Sequence, residues 1–500
     1  MIESILKETG KDALRYVPAK VVPAAVNFAG LVVFTHILSP EDYGNYFIVL
    51  ATISVMTIIG SNWVANSVIR FYPEFKQKGN LDGFFTNVVI AFVICNWIIL
   101  LLSVVGFFVF KAQIPPALTS MLAVGIFAYL SSAAYVVLLY FLRASLKASA
   151  FSVCEIVFSA GKFGLALLLV FLLRTGAISL LWGMLLMNTV ISILIARRFS
   201  LVQRFKTRLF SPETCKGLAK FGLPLAVSSL SAWLLVLSDR YILGYFGSAE
   251  QVGIYSVSFS VVDRSIGMVY SVLMLAAYPI IISTWEEKGK QMTQQLIKEL
   301  SRYFFILCIP AFVGLSILSK DVFTLFMGKD FVESFRLVPL FAFCSLLMGL
   351  FQYLGKGFEI YKKTSLLAVT FLIAGLVNVA LNILLIPSYG YMGAGIAKTI
   401  SYAILLALGV GITYSFMPWL APLKSLLKVV FSSMLMGAVL VFLKGFLTVS
   451  PANLILLIAA GACVYFILLL FFREIRKNEM DYARSYYDRL TRNRTIGNRG

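Results

Sequence analysis

Apolar positions along this chain gather into runs of bilayer length, and the polar stretches between them alternate in charge. The runs fall at 17–38, 46–69, 87–110, 118–141, 152–173 and 178–196. After a polar, basic linker they resume at 221–246, 253–283, 302–319, 337–355, 364–386, 392–416, 424–447 and 453–472. Backbone polar groups in lipid must be satisfied within their own segment, so each run of about 20 apolar residues predicts a spanning α-helix. The pattern predicts an all-α polytopic membrane protein of about fourteen transmembrane helices. The run at 253–283 is long enough to tilt or to project from the membrane.

Charge sets the expected orientation. One set of linkers, together with the two termini, holds 32 of the 43 Lys and Arg residues; the alternate set holds 6, namely Lys111, Arg174, Lys320, Lys329, Arg336 and Lys444. Positive charge collects on the cytoplasmic side of membrane proteins. Both termini are therefore expected in the cytoplasm, which needs an even number of spans. The loops expected outside are short, the longest lying at about 319–336.

A weak internal repeat divides the chain. SPEDYGNY at 39–46 and SAEQVGIY at 248–255 share Ser, Glu, Gly and Tyr at a constant offset of 209. Each octet lies in the outer turn between the first two helices of a six-helix block. Two lobes around a midplane site are a common transporter plan. The expected organisation is an N-lobe at 1–200, a basic linker at 201–220, a C-lobe at 221–416, a helix pair at 417–472 and a basic tail at 473–500.

Composition narrows the function. The 500 residues are 60% hydrophobic and 13% charged, with mean hydropathy +0.90, which leaves little chain for a domain outside the bilayer. A net charge of +20 would point a soluble protein toward nucleic acid; here the topology rule accounts for it, and no nucleic-acid partner is expected. The six cysteines form no CxxC pair and read as small apolar fillers. The first sixteen residues lack the apolar run of a cleavable signal peptide. Phosphate-loop, dinucleotide and HExxH motifs are missing, and His36 is the single histidine, so no enzyme, cofactor or metal site is expected. His36, near the outer end of the first span, reads as an interfacial side chain.

What remains is charge inside the membrane: Lys20, Glu155, Lys162, Asp239, Arg240, Asp263, Arg264 and Lys398. Each is costly in lipid unless it meets a partner or a wet cavity. Lys20 is close enough to the helix end to snorkel. Five cations against three anions suit an anionic substrate, with Lys162, near mid-span, as the leading candidate. Asn62, Asn66 and Arg70 recur every four residues on the second span, and Asn378 and Asn382 on the eleventh, either as cavity-lining stripes or as helix–helix glue. Gly44 and Gly253, matched by the repeat, are expected to allow a positive φ or a close backbone approach in the outer turns. The chain start (Ile2, Ile5, Leu6), the linker RFKTRLF at 204–210 and the tail from Arg473 read as interfacial segments on an anionic leaflet.

Three stretches carry a family resemblance: LSPEDYGNY at 38–46, SDRYILGYFGSAEQVGIYSV at 238–257 and NILLIPSYGYMGAGIAKTIS at 382–401. With them the chain resembles the polysaccharide transporters, the Wzx-type flippases of lipid-linked oligosaccharides such as O-antigen. These belong to the multidrug/oligosaccharidyl-lipid/polysaccharide exporter superfamily. His36 stands where that family often carries Arg. The resemblance implies a V-shaped pair of six-helix lobes around a central cavity, as in the multidrug and toxin extruders, plus a terminal helix pair. It implies alternating access for a glycan linked through pyrophosphate to a polyprenyl carrier, in a bacterial or archaeal cytoplasmic membrane. Membrane lipids, and polysaccharide polymerase or assembly proteins, are the partners it implies. No fixed set of site residues transfers with it. A multidrug antiporter of the same fold is an alternative, though cationic drugs favour acidic cavities. A glycan polymerase or ligase is a second alternative, for which the exported loops are short.

Overall fold

The structure, a computed structural model, describes residues 18–476 and Glu479. The amphipathic start at 1–17 and most of the basic tail lie outside the described residues. Twelve helical stretches are long and apolar enough to cross a membrane. Two of them turn back at a glycine: Gly289 (φ 74°, ψ −168°) and Gly390 (φ 54°, ψ −138°) take left-handed backbone that a Cβ disfavours. Each break divides one stretch into two helices, which makes fourteen. Among the described residues there is no strand.

The helices are α1 (Pro18–Ile37), α2 (Pro40–Gln77), α3 (Leu81–Phe110), α4 (Pro116–Ala144), α5 (Ala148–Leu173) and α6 (Ile178–Arg198). After the linker come α7 (Pro212–Leu237, continued by Asp239–Phe246), α8 (249–288), α9 (290–326), α10 (Val338–Leu354), α11 (364–389), α12 (391–414), α13 (Leu423–Lys444) and α14 (Pro451–Phe471). Every expected span lies on one of them. At 1.5 Å per residue, α8 is about 60 Å long, twice the hydrocarbon thickness, so it extends beyond the bilayer at the end where the basic linkers lie.

The repeated octets have one structural role. Ser39 caps α2, accepting the Asp42 amide at 3.1 Å, and Ser248 caps α8, accepting the Gln251 amide at 3.2 Å. The two helices then pack together across the lobes. A Cβ on Gly44 would meet the Ala249 carbonyl oxygen at 1.7 Å, and one on Gly253 would meet the Pro40 carbonyl oxygen at 2.0 Å. Pro40 and Ala249 are themselves repeat partners, so the contact is reciprocal. Both glycines are helical, and close approach is the reason they are glycine. Beside them Gly328 lies against the Thr35 backbone, and its amide donates to Thr35 Oγ1 at 3.2 Å. These contacts seal the low-charge end.

At the basic end, α2 meets α7: Ser67 Oγ donates to the Leu218 carbonyl at 2.9 Å, and a Cβ on Gly222 would meet the Trp63 carbonyl oxygen at 2.3 Å. The linker at 204–210 is tied to the start of α3. Arg204 and Lys206 pair with Asp82 at 3.2 and 2.8 Å, and Asn87 Nδ2 donates to the Leu209 carbonyl. The terminal pair packs on α9, with Gly437 against Val313 and Ile317, and the Tyr465 hydroxyl donating to the Ile306 carbonyl.

Candidate functional site: a cationic pocket between the lobes

Helices α2 and α8 each contain one π turn, Ile58–Asn62 and Asp263–Gly267, where the ladder widens by one residue. Such turns free backbone groups and recur at functional sites. Asn96 of α3 services the first, donating to the Gly60 carbonyl at 3.2 Å and accepting from Ser61 Oγ at 3.1 Å. Ser265 services the second through the Val261 and Val262 carbonyls. The second turn carries Asp263 and Arg264.

Arg264 meets Lys162 of α5 in a cavity of about 120 Å³ that is lined by helices of the N-lobe and reached from the C-lobe by Arg264. Asn27 and Gly30 of α1 and Tyr43, Tyr46 and Phe47 of α2 share its wall. Lys162 sits 5.2 Å from the ring of Phe158, one turn away. Arg264 Nη1 is buried and has no hydrogen-bond partner among the described residues. Asp263, its neighbour, is exposed, and Arg264 and Lys162 are half-buried. Two like charges from opposite lobes thus face one shared space. A buried guanidinium nitrogen without an acceptor is costly. An anion in the cavity would relieve both costs.

The other candidate charges lie elsewhere. Asp239 (α7) and Lys398 (α12) are fully buried and paired with each other. The Lys398 ammonium also donates to the Val236 carbonyl at 2.9 Å, Tyr255 donates to Asp239 at 2.6 Å, and Asn382 donates to Asp239 at 2.7 Å and to Asn378 at 3.0 Å. This network ties α7, α8, α11 and α12 inside the C-lobe, away from the cavity wall. Arg240 is buried beside it. It donates to the Val236 carbonyl and lies 5.4 and 6.0 Å from the rings of Phe259 and Phe47. Asn62 and Asn66 are half-buried on α2 and Arg70 is exposed; none of the three lines the Lys162–Arg264 cavity. Glu155 accepts from Tyr135 at 2.9 Å, and His36 Nδ1 is bonded to the Val32 carbonyl.

Tyr43, Tyr46 and Asn27 were not among the residues expected at the site. The repeat held a signal for two of them: Tyr46 matches Tyr255, and Tyr43 precedes the matched Gly44. No group of three or more His, Cys, Asp and Glu able to hold a metal occurs among the described residues.

Comparisons with known proteins agree with this architecture. The chain is similar over 492 residues, at 23% identity, to the "Probable low-salt glycan biosynthesis flippase Agl15" of Haloferax volcanii, covering 94% of this chain and 97% of that one. It is 24% identical over 213 residues, 41% of this chain and 43% of the other, to the "Probable lipid II flippase MurJ" of Thermotoga maritima. Among solved structures, a lipid II flippase MurJ in an inward closed conformation superposes with TM-score 0.76 at 17% identity, over 91% of this chain and 98% of that one. An inward-facing multidrug-resistance MATE transporter of the MOP superfamily superposes with TM-score 0.59 at 15% identity, over 81% and 98%. The two-lobe transporter fold is thus shared with both. Residues 33–336, more than half of the sequence, match one family, and the chain belongs to that family, the polysaccharide biosynthesis proteins.

Proposed function

We propose that this protein is a flippase that carries a phosphate-bearing, lipid-linked glycan across the cytoplasmic membrane by alternating access. The observation that carries the reading is the meeting of Lys162 and the partly unpartnered Arg264 guanidinium in one interlobe cavity. Like charges facing across the lobe boundary repel, and repulsion at low effective dielectric is strong. A phosphate between them replaces repulsion with two charge-assisted bonds, so an occupied pocket favours lobes drawn together. The lipid tail stays in the bilayer while the headgroup crosses. The names of the similar proteins, a glycan biosynthesis flippase and a lipid II flippase, support this substrate class. The basic end faces the cytoplasm in this reading, and the contact of Gly44 with Gly253 seals the outer end.

The cavity's cationic lining favours an anionic headgroup over cationic drugs. In cells that lack the native gene, Lys162→Gln and Arg264→Gln should lower surface-glycan export at least about tenfold, the effect of losing one charge-assisted contact, with membrane abundance unchanged. Export at the normal rate by the double variant would overturn the reading.

A further inference from the structure

The cavity wall holds two phenols that the reading above does not use. Tyr43 and Tyr46 are three residues apart on α2, so their side chains share one face. Their rings are stacked, with centroids 5.8 Å apart and planes at 18°. Both side chains are buried, and neither hydroxyl bonds to another described residue. Tyr255, the repeat partner of Tyr46, differs: its hydroxyl is spent on Asp239 at 2.6 Å. An inward-facing phenol that keeps no partner as the pocket closes loses its hydrogen bond to water. The chemistry that recovers that bond beside Lys162 and Arg264 is an anionic oxygen, to which a phenol donates a short, charge-assisted bond.

The same residues flank Gly44. The backbone there touches Ala249 with no room for a methyl group. Tyr43 also sets its ring edge-on to Phe331, 5.9 Å away, in the 3₁₀ segment Lys329–Leu337 that follows α9. One helical turn therefore has a face in the pocket and a face in the seal. Rigid packing passes small shifts on instead of absorbing them.

We propose that Tyr43 and Tyr46 donate hydrogen bonds to the phosphate of the bound headgroup and thereby make the outer seal respond to an occupied pocket. The inference rests on the reading of the Lys162–Arg264 cavity as an anion site. It adds two binding residues and a route from the ligand to the seal.

The test uses the purified full chain with farnesyl pyrophosphate as a short polyprenyl pyrophosphate and farnesol as the uncharged control. Tyr43→Phe and Tyr46→Phe keep the rings, and their thermal unfolding should match the parent. Each should weaken binding of farnesyl pyrophosphate about tenfold, and farnesol should not bind the pocket. Spin labels at the exposed residues Glu41 and Glu250, in a cysteine-free background, flank the seal. Farnesyl pyrophosphate should shift their distance distribution in the parent and leave it in place in Tyr43→Phe/Tyr46→Phe. Three outcomes overturn the proposal. If the parent does not bind farnesyl pyrophosphate, or Lys162→Gln/Arg264→Gln binds it equally well, the anion-site reading falls and this inference with it. If binding needs Lys162 and Arg264 but the Phe variants bind as tightly, this inference alone falls. If the Phe variants weaken binding but farnesyl pyrophosphate still shifts the label distances in them as in the parent, the route from the phenols to the seal is wrong.

Discussion

At the scale of single residues, the buried charges divide into two kinds. Lys162 and Arg264 face a cavity, whereas Lys398 gives its ammonium to Asp239. Removing one member of a buried pair leaves the other charged and unsolvated, which costs about 3–5 kcal/mol. Lys398→Met should therefore lower thermal stability and membrane abundance together, while Lys162→Gln leaves both near normal; a stable Lys398→Met protein with impaired binding would contradict this division. The sequence located each of these charges in a span but could not sort them. Asp239 and Lys398 are 159 residues apart, and helix periodicity does not say which distant faces meet. Another buried cation, Arg302, about three turns into α9, is likewise a structural hub, paired with Glu474 at 2.7 Å and Glu479 at 2.6 Å. Burial alone would raise Glu479, but hydrogen bonds from Arg302, the Arg476 amide and the Tyr303 hydroxyl hold its carboxyl down at about 2. The folded value lies below the unfolded one of ~4.3, so the latch contributes full stability above that pH and loses it as pH falls toward about 2. Between pH 7 and pH 3 the parent should lose more stability than Glu479→Gln, measured as the shift in Tm; equal shifts would remove the latch.

At the scale of elements, lengths and caps were legible and breaks were not. Apolar runs of bilayer length gave all fourteen helices, and the matched Ser-x-Glu octets turned out to be two N-caps in equivalent places. The π turns in α2 and α8 left no mark, because an extra residue in a continuous apolar run changes neither its length nor its composition. Gly289 and Gly390 were two glycines among 35 until their left-handed backbone set them apart. Gly44 and Gly253 offered two explanations, and close approach is the one the packing bears out. A methyl group at either position meets a carbonyl oxygen at 1.7 or 2.0 Å, and overpacking of this kind costs about 1–3 kcal/mol. Only the sealed state bears that cost. Gly44→Ala and Gly253→Ala should therefore shift the lobes toward opening at the low-charge end. Faster labelling of single cysteines placed along the cavity wall, by a reagent added from that side, would register the shift. Labelling at the parent's rate would mean that the seal relaxes around a methyl group and does not govern access.

At the scale of the whole molecule, the two repeats pack together at one end, beside an N-lobe cavity that the C-lobe reaches through Arg264 and whose lining carries unbalanced positive charge. The repeat pointed to two lobes, the plan shared with the solved transporters, and the excess of cations in the spans raised the expectation of a cationic cavity. Neither could give its place, because Lys162 and Arg264 come from different lobes and meet only once α5 and α8 are packed beside α1 and α2. In the proposed reading, the sealing contacts at the low-charge end close one side of the cationic pocket. The central claim is that Lys162 and Arg264 together draw a phosphate-bearing headgroup through the protein. The direct measurement is transbilayer movement of a fluorescent polyprenyl-pyrophosphate-linked disaccharide in vesicles containing the purified chain, read with a membrane-impermeant quencher. The parent should give protein-dependent movement, and Lys162→Gln/Arg264→Gln, reconstituted at equal amount, movement no faster than in protein-free vesicles. Movement by that variant at the parent's rate, or none by the parent, would contradict the claim.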